Sequence, residues 1–467
     1  MSESPLHFLT ITEVASLIRD KQVSPMEVTK AMLQRIDALD GRSQSYATVL
    51  ADQAMDSARK AESEITAGRY LGPLHGVPIA VKDLCFTKGV RTMGGTPVLS
   101  SHVPDFDATV ISKLAAAGSV LLGKLNLTEG AMAGYHPDFP IPVNPWNSES
   151  WTGVSSSGSG VATSAGLCFG SLGSDTGGSI RFPAASCGIV GIKPTWGLVS
   201  RYGVLALAES MDHVGPMTRS AADAGILLQT IAGHDPNDPT SLPGPVPDLL
   251  ARLGEGVRGI RIGVDMRYVQ DDVDGELSAS VLAGIRVMEG LGAKIVDVIM
   301  PETREYTGAW AVLCSAEAAD AHRATYPSRR DEYGPWFRGW LDKGSEVTGA
   351  DYAQANNMRA ECNGLLRSVF EDIDVLACPS TIAPPGRVTP EQLRAPMGGE
   401  DDLKWGRFTV PFDFNGSPTI SLPCGQNSDD LPLSLQFVGK HLSEALLVRL
   451  GHAYEEATGW HRMKPPV

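Results

Sequence analysis

Two serine clusters carry the residues best suited to nucleophilic chemistry. The first runs Gly153-Val154-Ser155-Ser156-Ser157-Gly158-Ser159-Gly160, and the second runs Gly173-Ser174-Asp175-Thr176-Gly177-Gly178-Ser179-Ile180-Arg181-Phe182-Pro183. A serine hydroxyl is a weak nucleophile until a neighbouring base takes its proton. Glycine tolerates dihedrals that other residues resist, so several backbone N–H groups can converge on one point. Converging donors are what the oxyanion of a tetrahedral intermediate needs. Ser155 and Ser179 are therefore the candidate chemical residues. Stretches rich in serine and glycine are more often flexible linkers. Here Val161, Leu167, Phe169, Leu172, Ile180 and Phe182 interrupt the polar run, and Asp175 and Arg181 bracket the second cluster, so the segment reads as buried and ordered.

The elements that must position these clusters alternate between strand and helix. Residues 12–19 read as a helix. Ser24-Pro25-Met26-Glu27 is a capping box with proline at the first helical position, and Val28, Met32, Ile36 and Leu39 follow on one face. Residues 1–70 are thus expected to form a helical arm that covers the core, with a homodimer contact as its other reading. Val77, Ile79 and Val81 alternate as a strand that ends at Lys82. Asp107 is expected to cap a helix through Leu114, and Val120 to Leu122 read as a buried strand. Ile260, Ile262 and Val264, then the helical face Leu277, Val281, Ile285 and Met288, then Ile295 to Ile299, make a βαβ-like unit. Leu433, Leu435 and Phe437 alternate as a strand before a last helix that starts at Ser443. This alternation favours an α/β sheet.

Composition narrows the partners. The 467 residues are ample for a large core, and 42% hydrophobic with 20% charged residues is ordinary for a soluble enzyme. A net charge of −15 argues against nucleic acid or an anionic membrane as a direct partner. No run of eighteen apolar residues exists, so no membrane-spanning helix is expected. Met1 to Asp20 carries Glu3 and Glu13 and lacks a basic region followed by an apolar core, so no signal peptide is expected. Cys85, Cys168, Cys187, Cys314, Cys362, Cys378 and Cys424 are odd in number and form no Cys-x-x-Cys pair, which reads as reduced thiols in a cytoplasmic protein.

The order of the two clusters resembles the amidase signature family of serine hydrolases. Gly153, Ser155, Ser156 and Gly158 match the first part of that pattern, and Gly173 to Arg181 with Pro183 and Ala184 match the second without a gap. Val154 and Ser157 depart from it by replacing glycines. Leu74 to Asp83, Asn144-Pro145-Trp146-Asn147, Lys193-Pro194-Thr195 and Leu431 to Gln436 are similar to further family landmarks, so the resemblance covers most of the chain. It implies an α/β/α sandwich around a large mixed, mostly parallel sheet. Residues 71–467 would be one catalytic domain, with a signature core at 74–220 and a variable substrate region at 300–400. It implies a Ser-Ser-Lys triad: Ser179 as nucleophile, Ser155 as the bridging serine after a cis peptide bond, and Lys82 as base. Burial among Ile79, Val81 and Leu84 would favour the neutral amine such a base requires. The N–H groups of Thr176, Gly177, Gly178 and Ser179 would form the oxyanion hole, with Ser156, Asp175 and Arg181 in support. Family members contact substrate just before the signature, here Met132, Ala133, Gly134 and Tyr135.

Rival sites find less support. Ser-His-Asp catalysis needs one well-placed histidine, and His75, His136 and His213 each read more simply as structural residues. Cys187 sits in an apolar stretch and reads as core. No cluster has metal-ligand spacing, and neither glycine-rich segment has the Lys-Ser/Thr ending of a phosphate loop. The expected function is hydrolysis of a small-molecule amide through a serine acyl-enzyme, with no cofactor or metal. Esters and carbamates would suit the same machinery. Tyr306, Trp310, Tyr326, Tyr333, Trp336, Phe337 and Trp340 crowd the variable region. If some of them, Trp336 and Phe337 among them, wall the pocket, an aryl or bulky apolar amide is the expected substrate. The alternative is the glutaminase component of a tRNA-dependent amidotransferase, which would work beside a tRNA-binding partner.

Overall fold

Short apolar runs between glycine and proline turns build one sheet. The computed structural model describes residues 5–398 and 405–467. The strands are β1 (Tyr46–Val49), β2 (Pro78–Lys82), β3 (Val120–Leu125), β4 (Gly170–Asp175), β5 (Val190–Lys193), β6 (His213–Thr218), β7 (Arg261–Val264), β8 (Lys294–Asp297), β9 (Val375–Pro379), β10 (Thr419–Gln426) and β11 (Pro432–Gly439). They lie in the order β1-β3-β2-β4-β6-β5-β10-β11-β9-β7-β8. Every residue of β2, β4, β6, β9 and β11 is buried, so helices and loops cover both faces, as in an α/β/α sandwich.

The sheet is mixed, as expected, but it is not mostly parallel. Only β2 with β3, β2 with β4, β7 with β8 and β7 with β9 pair in parallel. The other pairings are antiparallel. The parallel pairs are the ones joined by crossover helices. The antiparallel majority arises because β5, β6, β10 and β11 run side by side in the middle.

The N-terminal segment is more than a helical arm. Its helices Ile11–Arg19 and Pro25–Ser43 form as expected, the second with the full Ser24–Glu27 capping box. Between them and the helix Ala51–Thr66, β1 pairs antiparallel with β3 and becomes one edge of the sheet. The Asp223 carboxylate accepts from the N–H groups of Ile11 and Thr12, pinning the first helix to the helix Ala221–Ile231. Asp107 does not cap the helix Thr109–Ala116: its carboxylate accepts from the Lys88 N–H instead.

Candidate active site

Lys82 ends β2, where the parallel neighbour β4 brings Ser174 alongside it. The lysine is fully buried. Its Nζ donates to Ser155 Oγ at 2.7 Å and to Ser174 Oγ at 2.8 Å. Burial pushes its pKa down to about 7, against the pull of Asp175, Cys85 and Asp212. A buried amine near neutrality can exchange protons with the Ser155 hydroxyl it touches. Ser155 follows a cis peptide bond from Val154, as the resemblance implies. Sequence reasoning gives Ser174 no role of its own, because it is only one of many signature residues. Its signal is the two-residue alternation of β4, which separates it from the neighbouring Gly173 and Asp175.

The two clusters meet through their backbones. Ser156 N–H donates to the Ser179 carbonyl at 3.3 Å, and the Ser156 hydroxyl both accepts from Ser174 N–H and donates to its carbonyl at 3.2 Å. A Cβ at Gly153 would lie 2.4 Å from Pro183 N, so only glycine lets the first loop approach the segment after Ser179 this closely.

Asp175 organises the turn between β4 and the helix Arg181–Cys187. Its carboxylate accepts from the N–H groups of Gly178 (2.7 Å), Ile180 (2.9 Å) and Arg181 (3.3 Å). It also accepts from Arg181 Nε at 3.0 Å and Nη2 at 2.7 Å. Burial opposes its ionisation, but the Arg181 guanidinium outweighs that and holds Asp175 well below the usual carboxylate range. Arg181 reaches Asp413 at 2.6 Å and the Thr409 carbonyl at 2.9 Å. All three ionic groups are buried. The Gly178 N–H, one of the four expected oxyanion donors, is thus engaged by Asp175. Among the described residues, the N–H groups of Thr176, Gly177 and Ser179 have no hydrogen-bond partner and stay available.

The Thr176 carbonyl accepts from Trp310 Nε1 at 2.9 Å, and its hydroxyl donates to Asp212 at 2.6 Å. Trp310 lies 5.9 Å from Trp340, which stacks on Trp336 at 5.8 Å. Trp336 in turn abuts Gly134, where a Cβ would lie 2.5 Å from the tryptophan Cβ. Three indoles therefore run from the turn before Ser179 to the Met132–Tyr135 loop. Trp336, Met132 and Ala133 are half-buried and are the candidates to wall a substrate. Phe337 is fully buried against Gly130, Tyr333 and His322, which makes it a core residue rather than a wall. Tyr135 is also buried, and its hydroxyl donates to Ser157 Oγ at 2.7 Å. Ser157, one of the two departures from the family pattern, thus anchors this loop.

A cavity of about 330 Å³ reaches Ser174, Asp212 and His213 between Ala131 and the segment 201–209. Neither Ser155 nor Ser179 is among the residues that line it. Among the described residues no group of His, Cys, Asp and Glu side chains is placed to hold a metal ion, and no helix is long and apolar enough to cross a membrane.

Comparison with known proteins gives the family. The Amidase family matches residues 27–448. The "Putative amidase AmiD" of Mycobacterium tuberculosis is 47% identical over 470 residues, covering 100% of this chain and 98% of that protein. The glutamyl-tRNA(Gln) amidotransferase of Moorella thermoacetica has a component that is 38% identical over 487 residues, covering 98% of this chain and 99% of its own. A bacterial aryl acylamidase of the amidase signature family superposes with a TM-score of 0.88 at 26% identity, covering 98% of each chain. The chain belongs to the amidase family and is an amidohydrolase.

Proposed function

We propose that this amidohydrolase cleaves small-molecule amides with an aryl or bulky apolar group, using Ser179 as nucleophile. Ser179 Oγ attacks the carboxamide carbon, and the oxyanion is held by the N–H groups of Thr176, Gly177 and Ser179. Neutral Lys82 turns its lone pair to the Ser155 hydroxyl over the same 2.7 Å contact. Ser155 takes the Ser179 proton, and the relay delivers a proton to the leaving nitrogen as the C–N bond breaks. Water then attacks the acyl-enzyme by the reverse relay and releases the acid. The observation that carries the proposal is the buried Lys82 amine, held near neutrality within hydrogen-bond reach of Ser155.

The half-buried Trp336 and Met132 support the aryl preference, and so does the likeness to an aryl acylamidase. Burying one apolar ring is worth about 1.5–3 kcal/mol, or roughly tenfold to a hundredfold in kcat/KM. A panel of an anilide, acetamide, an ester and glutamine tests this, with a fluorophosphonate probe to trap the nucleophile. We expect the label on Ser179, and an anilide cleaved at least about tenfold better than acetamide after correction for leaving-group reactivity. Labelling of another serine would remove Ser179 from its role. A clear preference for glutamine would favour the amidotransferase reading.

A further inference from the structure

We propose that His213 is a positioning residue for the oxyanion hole: its Nδ1–H donates to the Asp175 carbonyl and so aims the Thr176 N–H, on the other side of the same peptide, at the substrate oxygen. This rests on the reading above that Ser179 is the nucleophile and the Thr176 N–H an oxyanion donor.

His213 opens β6 and faces Asp175, the last residue of β4, in the antiparallel register. Its imidazole is buried, and Nδ1 lies 3.1 Å from the Asp175 carbonyl oxygen. A carbonyl oxygen only accepts, so this contact requires the proton on Nδ1. Asp413 Oδ1, 3.6 Å from the same nitrogen, is the more distant acceptor. Across the ring, Lys193 Nζ lies 3.2 Å from Nε2. Burial and Lys193 push the His213 pKa well below its ordinary value, so the ring is neutral and Nε2 is bare. Lys193 therefore donates to Nε2 and selects the tautomer that holds Asp175.

The Asp175–Thr176 peptide is trans, so its C=O and N–H point in opposite directions within one plane. Holding the carbonyl toward His213 fixes where the N–H points. Thr176 is also held by its side chain, whose hydroxyl donates at 2.6 Å to Asp212, the residue before His213. The same device recurs along the turn. Trp310 Nε1 holds the Thr176 carbonyl at 2.9 Å, behind the Gly177 N–H. The Phe182 N–H holds the Gly178 carbonyl at 2.7 Å, behind the Ser179 N–H. Each N–H left available near Ser179 thus belongs to a peptide whose carbonyl is bonded from behind. A donor on the carbonyl also polarises the peptide and strengthens its N–H as a donor. His213 is the member of this set whose donor depends on a tautomer, and hence on Lys193.

Three variants test this. His213→Asn puts an amide N–H where Nδ1 stands. His213→Gln puts its amide where Nε2 stands, beside Lys193. His213→Leu has no donor. A fluorophosphonate forms a tetrahedral adduct on the nucleophile, so its labelling rate reads the hole without an amide substrate. We expect the labelling rate of Ser179, and kcat for acetamide, to fall about tenfold in H213Q and H213L, with KM changed less than about twofold. H213N should stay within about threefold of wild type in both. Equal rates in all four proteins would overturn the proposal, and so would equal losses in H213N and H213Q, which would assign His213 to packing alone. If H213L does not fold, the asparagine and glutamine variants decide. An H213N protein that also fails to fold would count against the proposal, because the retained donor should hold the turn. A wild-type label on another serine would instead overturn the reading of Ser179 on which the proposal rests.

Discussion

Replacing Lys82 with methionine is expected to abolish turnover and yet stabilise the fold at neutral pH. The lysine pKa falls from its ordinary 10.5 to about 7 on folding. A group whose charged form the fold disfavours weakens the native state wherever that charge must be carried. Below pH 7 both states are protonated and the full penalty applies. Between 7 and 10.5 the unfolded chain binds more protons, so stability rises with pH. At pH 7 the penalty is roughly 4 kcal/mol, at about 1.4 kcal/mol per pH unit. Lys82→Met removes it, keeps most of the apolar stem, and leaves the Ser155 and Ser174 hydroxyls without their partner, a loss of about 1 kcal/mol each. The net expectation is a gain of roughly 2 kcal/mol at pH 7. At pH 10 the penalty shrinks to under about 1 kcal/mol, the lost hydrogen bonds dominate, and the order of stability reverses. Denaturant unfolding of both proteins at pH 7 and pH 10 measures this. A variant less stable at pH 7, or a gap that does not move with pH, would refute the reasoning. In the wild type, kcat/KM should climb about tenfold per unit below pH 7 and level off above it, as the neutral amine becomes the main form.

Three further outcomes are expected. Asp175→Asn leaves the buried Arg181 with a single anionic partner and should lower stability by about 3–5 kcal/mol; an unchanged unfolding midpoint would show that Asp413 suffices. Trp310→Phe removes the indole N–H from the Thr176 carbonyl and should lower kcat about tenfold with little change in KM for acetamide; equal kcat would detach Trp310 from the turn before Ser179. Gly177→Ala places a Cβ 2.6 Å from the Trp310 ring, so the ring or the turn must move; kcat should fall about a hundredfold, and an alanine variant with wild-type kcat would mean that the packing of Trp310 on Gly177 does not hold the oxyanion donors in place.

Much of the fold is legible in the sequence because its signals are local. The Ser24–Glu27 capping box, the β2 alternation up to Lys82 and the βαβ unit of β7 and β8 each lie within a few tens of residues. Strand direction is not legible, since it depends on partners far apart: β5 pairs with β10, more than two hundred residues later. β1 escapes sequence reasoning because Tyr46–Val49 is too short to show a period between two long helices. At the candidate site, Lys82, Ser155 and Ser179 stand out by motif. Asp413, the second carboxylate on Arg181, does not, because nothing in Val410–Phe414 marks it as the partner of a residue 232 positions away. Phe337 is misassigned from sequence for a related reason. Composition flags an aromatic segment, but the turn of its helix decides which ring meets Gly130 in the core and which is left half-buried beside Gly134.

During synthesis the two halves of this sheet cannot meet. The strands β1 to β6 and β7 to β9 are all translated before β10 and β11, which lie between β5 and β9 and join them. At about 5–20 residues per second, β5 waits roughly eleven to forty-five seconds for its antiparallel neighbour. Through that interval a growing chain exposes the unpaired edge of β5, a template for pairing with other chains. Arg181 waits for Asp413 over almost the same interval. A half-made chain that already holds Lys82, Ser155 and Ser179 is therefore a candidate for a chaperone before it is a hydrolase.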